Sequence, residues 1–298
     1  MSRSKYVVIS PVRNEGRNLP KTIQSMAAQT LQPAQWIVVN DGSTDKTREL
    51  VVEAARQHAW ITLVDRPDRG HRKSGAGVVE AFYDGFRQIV APDWDYIVKF
   101  DGDLEFGPDY FRQALEILSA QPKLGITGGD ICHWENGDLV LESKKDPAFH
   151  VRGATKIYRR ACWEAIGGIL SVAGWDTLDE VKANMLGWET RRIPELKLIH
   201  LRFTGSADGT WKNALKNGRG SYICGYHPLF LFAKCAKRFF KRPMGVESLG
   251  LLVGYVGGCL GSAKRVHDRD LVRYLRSQQL RLLLGKPSLW DRTSANAS

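Results

Sequence analysis

The stretch Tyr96–Asp103 reads Tyr-Ile-Val-Lys-Phe-Asp-Gly-Asp, an apolar run that stops on two acids separated by one glycine. The run is typical of a buried strand, and open α/β sheets bind ligands where their strands end. Two carboxylates on a tight turn suit Mg²⁺ or Mn²⁺, which combine a few protein oxygens with substrate phosphates. An ordinary Asp-Gly turn is the alternative interpretation. Residues elsewhere in the sequence are therefore needed to distinguish a metal site from an ordinary turn.

The residues before this stretch alternate between strand and helix patterns. Strands are predicted at about 5–10, 35–40, 61–64 and 96–100, with helices at about 19–28, 46–57 and 75–89 between them. Such alternation predicts a parallel sheet with right-handed crossovers. Because parallel strands end at the same edge, the loops that follow them are expected to meet there.

Polar and charged side chains occupy each of those loops. The first strand ends in Ser10–Glu15, the second in Asn40–Asp45, and the third connection carries Arg72 and Lys73 before a helix that begins near Gly75. An acid there can accept a hydrogen bond from a nucleobase, while basic side chains and a helix N-terminus can neutralise a diphosphate. Together with the acidic pair, these loops predict a nucleoside-diphosphate pocket.

Three motifs resemble those of the family 2 glycosyltransferases: Ser10–Glu15, Val39–Asp45 and Asp101–Asp103, in the family's order. The resemblance covers about residues 5–205. It implies an α/β protein with the glycosyltransferase-A fold, in which helices flank a Rossmann-like, mostly parallel sheet. The first strand is not followed by Gly-x-Gly-x-x-Gly, which disfavours a nicotinamide-type site.

The resemblance and the loop chemistry together give the expected site. Asp41 is expected to contact the base, Asp101 the ribose or the metal, and Asp103 to be the principal metal ligand. The residues expected to bind the donor are Pro11, Arg13, Glu15, Asp41, Arg72, Lys73 and Asp101. The expected ligands of Mg²⁺ or Mn²⁺ are Asp101, Asp103 and His200. The family often has an asparagine in the helix after the basic loop, and Gly75–Ala81 lacks one here.

A catalytic base is expected near Asp176. In inverting transfer, one carboxylate removes the proton of the acceptor hydroxyl. The family usually places Glu-Asp about eleven residues before a Gly-aromatic pair, and counting back from Gly187 puts Asp176 at the Asp position. Trp175 stands where the family has Glu, so Asp179 and Glu180 remain alternative bases. A capped helix start is the structural explanation of the same acids.

The charge of the chain is uneven. Of a net charge of +11, residues 200–298 contribute 17 Lys and Arg against 5 Asp and Glu. A basic amphipathic helix is predicted over about 265–284, and an apolar glycine-rich stretch of 16 residues, 248–263, precedes it. These features make an anionic membrane surface a candidate partner. The alternative is that the helices cover an open face of the catalytic core.

The remaining features define the expected organisation. A catalytic domain is expected over 1–205, with a nucleotide half to about 104 and an acceptor half after it, followed by a basic helical extension over 206–298. No 18-residue apolar run, no secretory signal and five scattered cysteines indicate a cytoplasmic protein, with a peripheral position on the inner membrane face as a further option.

The sequence thus predicts an inverting, metal-dependent glycosyltransferase that uses a nucleotide-sugar donor and a saccharide or lipid-linked acceptor. The family that the chain resembles usually works in bacterial surface polysaccharide or glycolipid assembly. A polyprenyl-phosphate sugar synthase is the alternative within the fold. A non-catalytic nucleotide-sugar binder and a nucleic-acid binder are further alternatives, although no nucleic acid is expected as a partner.

Overall fold

The computed structural model describes residues 4–70, 75–142, 144, 146–202, 209–240, 243–261 and 263–291. The strands are β1 Tyr6–Val12, β2 Gln35–Asp41, β3 Ile61–Arg66, β4 Tyr96–Phe100, β5 Leu104–Phe106, β6 Leu124–Glu135, β7 Asp138–Leu141, β8 Thr155–Arg159 and β9 Glu189–His200. The helices are α1 Leu19–Ala27, α2 Thr47–Gln57, α3 Ala76–Phe86, α4 Tyr110–Ala120, α5 Arg160–Ile166, α6 Trp175–Met185, α7 Gly209–Ile223, α8 Pro228–Phe239, α9 Val246–Leu260 and α10 Arg269–Leu283.

The strands form one mixed sheet in the order β3-β2-β1-β4-β8-β6-β9-β5, with β7 paired to β6. Strands β1 to β4 are parallel to one another, as the alternating pattern predicts. In the second half, β8 is antiparallel to both β4 and β6, and β5 is antiparallel to β9. The sequence pattern did not reveal these antiparallel pairings because they join segments far apart in the chain.

The parallel half is buried on both faces. Residues of β1 alternate between two apolar clusters, with Tyr6 and Val8 in one and Val7 and Ile9 in the other. This explains why β1 and β2 are nearly continuous apolar runs, since helices cover each side of the sheet. Polar residues are then left for the strand ends, where β1, β2 and β4 finish beside one another.

Strands β6 and β7 form a hairpin. Strand β6 continues to Glu135, and β7 returns along it after a turn at Asn136 and Gly137, both with positive φ. Asn-Gly is the preferred pair for this type of hairpin turn. The hairpin directs the chain back to Glu142, which becomes important at the site.

Helix α10 has the amphipathic pattern that suggested membrane contact, but its apolar face is used inside the protein. Leu271 and Leu275 are fully buried against Leu178 and Val181 of α6. Lys182 forms an ion pair with Asp268 at 3.2 Å beside this contact. Of the two roles that the sequence left open for α10, membrane contact or covering of the core, the structure shows the second.

Helices α7 and α9 pack unusually closely through small residues. A Cβ added at Gly218 would lie 2.1 Å from the carbonyl oxygen of Leu251, and one added at Gly254 would lie 2.1 Å from that of Leu215. Only glycine allows the two backbones to approach this far. In the described residues, no helix has the length and apolar character needed to cross a bilayer.

Candidate functional site

A cavity of about 350 Å³ lies where β1, β2 and β4 end, and it is closed by residues from β9 and from the start of α6. The residues predicted for the site that line this cavity are Pro11, Arg13, Glu15, Asp41, Asp101, Asp103, Asp176 and His200. Arg72 and Lys73 fall outside the described residues. Asp179 and Glu180 do not line the cavity. Side chains from four strand ends and one helix therefore share a single space.

His200 is brought to Asp103 by the antiparallel pairing of β5 with β9. Leu104 lies opposite His200 in this register, and the amide of Leu201 donates to the carbonyl of Asp103 at 2.9 Å. The Nε2 atom of His200 lies 3.3 Å from Oδ2 of Asp103. On the other side of the ring, Nδ1 lies 2.7 Å from Oε1 of Glu142. The ring is thus fixed between two carboxylates, with Nε2 toward the cavity acid.

The two carboxylates determine the protonation of His200. Burial alone would lower its pKa, but the hydrogen bonds and charges of Asp103 and Glu142 outweigh burial and raise the pKa to about 9. For Asp103, burial acts to raise the pKa, and the hydrogen bond and charge of His200 with the charge of Arg202 lower it overall. Asp103 is therefore held ionised.

Further ion pairs compensate the acids of the cavity. Arg202 contacts Oδ2 of Asp103 at 3.2 Å and also pairs with Glu15, while Lys99, buried in β4, pairs with Asp101. Burial and then the charge of Asp103 raise the pKa of Glu15 to about 7. Positive charge thus converges on the same carboxylates that a divalent ion would use.

The donor set fits a divalent metal in part. The described residues contain no ready-made group of three or more His, Cys, Asp or Glu arranged around one point. Nevertheless, the 3.3 Å between Asp103 and His200 is close to the ~3 Å that separates adjacent ligands of an octahedral ion bound at ~2.1 Å. Glu142 on Nδ1 of His200 is the outer-shell partner that ligating histidines usually have. Asp103 and His200 therefore fit the ion once Nε2 of His200 has released its proton, as metal binding requires, whereas Asp101 is turned toward Lys99.

On the nucleotide side, Asp41 is surrounded by arginines. Its carboxylate forms ion pairs with Arg66 and Arg69, and its carbonyl oxygen accepts from Nη1 of Arg13 at 2.6 Å. Arg13 also pairs with Asp68 at 2.7 Å. Because a carboxylate has about four acceptor positions, Asp41 retains the capacity to accept from a base. The described part of the third connection, through Arg69, brings positive charge to this end of the cavity.

Asp176 stands in the first turn of α6, whose N-cap is Gly174 with φ of 79° and without a side-chain cap. Within the described residues its carboxylate forms no hydrogen bond or ion pair, and only its backbone carbonyl is used, by Lys156. The capping explanation offered by the sequence therefore does not apply to Asp176. A partly exposed carboxylate without a structural partner faces the cavity instead.

Asp179 and Glu180 are fully buried around Lys156. The Nζ atom of Lys156 lies 2.7 Å from Oδ1 of Asp179 and 2.8 Å from Oε1 of Glu180. Tyr158 also donates to Asp179, and His150 lies 2.9 Å from Glu180. Both acids of α6 are thus engaged in a buried network of ion pairs and hydrogen bonds. This arrangement favours Asp176 over either of them as a base.

Trp175 connects this network to the cavity. Its ring lies 5.6 Å from Nζ of Lys156 and 5.6 Å from Nζ of Lys99, the partner of Asp101. Both contacts are within the range of cation–π attraction. Trp175, which stands where the family usually has Glu, therefore lies between Lys99 and Lys156 and helps to fix the start of α6.

We predict that Lys156→Met lowers the free energy of unfolding by about 3–5 kcal/mol, because it leaves two carboxylates buried without a counter-ion. Burial already raises the pKa of Asp179 to about 6 against the opposing charge of Lys156. Urea unfolding measures the loss. Lys21→Met, at an exposed pair with Glu105, is the matched control and should change stability by less than about 1 kcal/mol. Similar values for both variants would contradict the network's importance.

Sequence reasoning gave no role to Lys99, Glu142, Lys156 or Arg202. The only signal for Arg202 was its position two residues after His200, at the end of an apolar strand. Arg152 lines the cavity and pairs with Glu142 at 3.1 Å. Glu142 thus orients one side chain on each side of the cavity.

Comparisons with known proteins identify the family of the chain. The sequence profile described as glycosyl transferase family 2 matches residues 7–161. A polyprenol monophosphomannose synthase of Mycolicibacterium smegmatis is 31% identical over 142 residues, which are 46% of this chain and 51% of the relative. A poly-beta-1,6-N-acetyl-D-glucosamine synthase of Staphylococcus aureus is 26% identical over 274 residues, 82% of this chain and 62% of the relative. The chain therefore spans about half to two thirds of the length of these two relatives.

A mannosyltransferase from Pyrobaculum calidifontis, solved in complex with GDP-Man and Mn²⁺, has a similar structure. The TM-score is 0.56 at 20% identity, over 97% of this chain and 77% of that one. This similarity confirms the predicted fold, with helices around an open sheet.

Proposed function

Because the chain belongs to glycosyl transferase family 2, we propose that it moves a sugar from a nucleotide-sugar donor to an acceptor hydroxyl, with inversion and with Mg²⁺ or Mn²⁺ as cofactor. The observation that carries the proposal is the shared cavity of Asp41, Asp101, Asp103 and Asp176. The printed activities of the two relatives support work in surface polysaccharide or glycolipid assembly.

In this proposal the parallel half holds the donor. Asp41 accepts from the base, and Pro11, Arg13 and Glu15 line the nucleotide site. Asp103 and His200 would hold the metal ion, which supplies Lewis-acid stabilisation of the departing diphosphate. Arg202, poised between Glu15 and Asp103, supplies further positive charge to the same oxygens.

The acceptor approaches from α6. Its oxygen attacks the anomeric carbon, the bond from that carbon to the diphosphate oxygen breaks, and the nucleoside diphosphate leaves with the electron pair. Asp176 takes the proton of the acceptor hydroxyl as the new bond forms. Attack opposite the leaving group inverts the anomeric configuration.

A polyprenyl phosphate is the second candidate acceptor. The mycobacterial relative is a polyprenol monophosphomannose synthase, and Arg152 lines the cavity where it could bind a phosphate. A phosphate oxygen is already ionised at neutral pH, so this reaction needs no strong base. The two acceptors therefore differ in their dependence on Asp176.

We also propose that residues 1–205 form the catalytic domain and that 206–298 form an extension that completes its acceptor side. Cys224 after α7 donates to the carbonyl of Ala173 at 3.1 Å, and α10 packs on α6. The protein would act in the cytoplasm, at the inner face of the cell membrane when its acceptor is lipid-linked.

Donor profiling tests the enzymatic proposal. We expect one nucleotide sugar from a panel of UDP, GDP, TDP and CDP sugars to be hydrolysed slowly with Mn²⁺, and EDTA to abolish the reaction. Released nucleoside diphosphate is measured. Readdition of excess Mn²⁺ should restore the rate, which separates metal removal from damage to the protein.

The same panel separates the alternatives. If no donor binds or is hydrolysed, the proposal of an enzyme is wrong. A donor that binds without turnover, even with polyprenyl phosphate or saccharide acceptors present, would identify a non-catalytic nucleotide-sugar binder.

A further inference from the structure

Helix α9 turns most of its large apolar side chains away from the protein, and only Leu251 among its leucines is fully buried. These side chains recur at intervals of three and four residues, so they lie on one helical face. Their exposed fractions run from 40% to 80% in the described structure. They are Leu249, Leu252, Val253, Val256 and Leu260.

The opposite face of α9 consists largely of glycine. A Cβ added at Gly250, Gly254 or Gly258 would lie 2.6, 2.1 or 3.0 Å from the nearest atom of α7. A surface helix in water normally buries its large apolar residues and exposes polar ones. Helix α9 buries Leu251 against α7 and α8 but exposes apolar residues where polar ones are usual, which is typical of a helix whose outer surroundings are apolar. The outward face is therefore built for contact with something other than water.

Basic and aromatic residues border this face. Lys264 and Arg265 follow shortly after the end of α9, and the Arg265 guanidinium lies 4.4 Å from the ring of Tyr222 on α7. A groove of about 760 Å³ is lined by Arg265, Arg269 and Arg276 among others. At the start of α9, Phe240 and Met244 are 78% and 62% exposed. Apolar surface with a basic border complements an anionic lipid surface, with acyl chains below and phosphates at the rim.

We propose that α9 lies in the interfacial region of an anionic bilayer with its Leu249–Leu260 face toward the acyl chains. The helix has 15 residues and is ~22 Å long, whereas the hydrocarbon core is ~30 Å thick, so it lies in the membrane plane and does not span it. A second copy of this chain would bring two strongly basic borders together, which favours the lipid as occupant.

This orientation also places the membrane near the catalytic cavity, a point that rests on the function proposed above. Helix α7 lies between α9 and the segment before Asp176, since a Cβ at Gly220 would contact Ala173 at 3.6 Å. The membrane would then be one helix layer from the residues that position the base. A lipid-linked acceptor could reach the cavity without leaving the bilayer.

Vesicle flotation of the full chain tests the docking. We expect binding to phosphatidylglycerol–phosphatidylethanolamine vesicles and weaker binding to phosphatidylcholine vesicles. Binding to the anionic vesicles should weaken at about 0.5 M NaCl, because salt screens surface charge. Leu252→Asn combined with Val256→Asn should weaken binding at least about tenfold. Val90→Asn is the matched control, because Val90 is 81% exposed but lies in the nucleotide half.

Cys259 provides a second readout. It is exposed on α9, whereas the other four cysteines are buried, so a thiol-reactive fluorophore should label it selectively. We expect a blue shift with anionic vesicles and quenching by lipids that carry a quencher high on the acyl chain. Circular dichroism confirms that the double variant is folded, and donor hydrolysis without vesicles should equal that of the unmodified chain.

Three results would overturn the proposal: no binding of the unmodified chain to anionic vesicles, equal binding of the double variant, or no change in the fluorophore at Cys259. A dimer that dissociates in the double variant would assign the face to a second copy instead. Because donor hydrolysis is measured without lipid, failure of docking leaves the catalytic proposal standing, and the reverse also holds.

Discussion

An Asp103→Asn variant is expected to lose about three orders of magnitude or more in kcat for glycosyl transfer, equivalent to ~4 kcal/mol of transition-state stabilisation. Asparagine preserves the size of the side chain but removes the charge that would hold the metal ion. It also removes the carboxylate that faces Nε2 of His200 at 3.3 Å. Initial rates with the donor identified by the panel measure the effect, and Mn²⁺ affinity is measured separately by calorimetry.

Glu105→Gln is the matched control for this variant. Glu105 is a carboxylate two residues further along the chain, in β5, but it pairs with Lys21 on the surface at 3.0 Å. Its loss should leave kcat and Mn²⁺ affinity within about twofold, since exposed ion pairs contribute little. If Asp103→Asn bound Mn²⁺ and turned over donor as the control does, the proposed metal site would be wrong.

Glu142→Gln should give an intermediate result. Glu142 does not contact the metal in our proposal but orients His200 and Arg152. Loss of such an outer-shell partner typically costs about 10–100-fold in metal affinity. A graded series in which Asp103→Asn is worse than Glu142→Gln would distinguish a positioning role from direct ligation.

The sequence predicted the nucleotide half of the fold well because its signals are local. The apolar run that ends at Asp101 and the loop after Asn40 identify strand ends without knowledge of their neighbours. Parallel crossover topology then places these ends together, and the structure shows Asp41 and Asp103 in one cavity. Arg72 and Lys73 remain predictions, since they lie outside the described residues.

The acceptor half was harder because its geometry depends on long-range pairing. His200 meets Asp103 only through the register of β5 and β9, and Glu142 reaches His200 only because β6 and β7 form a hairpin. Neither pairing has a periodic signal within the segments involved. The resemblance to a family suggested His200, but nothing pointed to Glu142.

Helical patterns were ambiguous for a related reason. Asp176, Asp179 and Glu180 are spaced so that all three share one side of α6, and this spacing alone does not rank them. The preference for Asp176 came from the family resemblance. The buried Lys156 of β8, twenty or more residues earlier, decides which two are neutralised. Likewise, the apolar stripe of α10 suits a protein core or a membrane, and only its partner α6 shows that it is buried.

The second large effect is expected for Asp176→Asn, and its size depends on the acceptor. With a hydroxyl acceptor, kcat should fall by about 10²–10⁴-fold, the usual contribution of a general base. With a polyprenyl phosphate acceptor, most of the activity should remain, because the attacking oxygen carries no proton at neutral pH. Donor affinity should change little in both cases, since the metal and nucleotide contacts are untouched. Steady-state rates with both acceptor classes measure these outcomes.

Glu49→Gln controls for the other consequence of removing an acid from the first turn of a helix. Both Asp176 and Glu49 interact favourably with a helix N-terminus, but Glu49 belongs to α2 and is exposed outside the cavity. A fall in kcat confined to Asp176→Asn therefore reports lost proton transfer, whereas equal loss of stability in both variants reports the helix dipole.

If Asp176→Asn retained full activity with every hydroxyl acceptor that the enzyme uses, the base would have to be another group. The buried pair Asp179 and Glu180 could then serve only after the ion pairs to Lys156 open, which predicts that Lys156→Met would change the pH profile of kcat rather than stability alone.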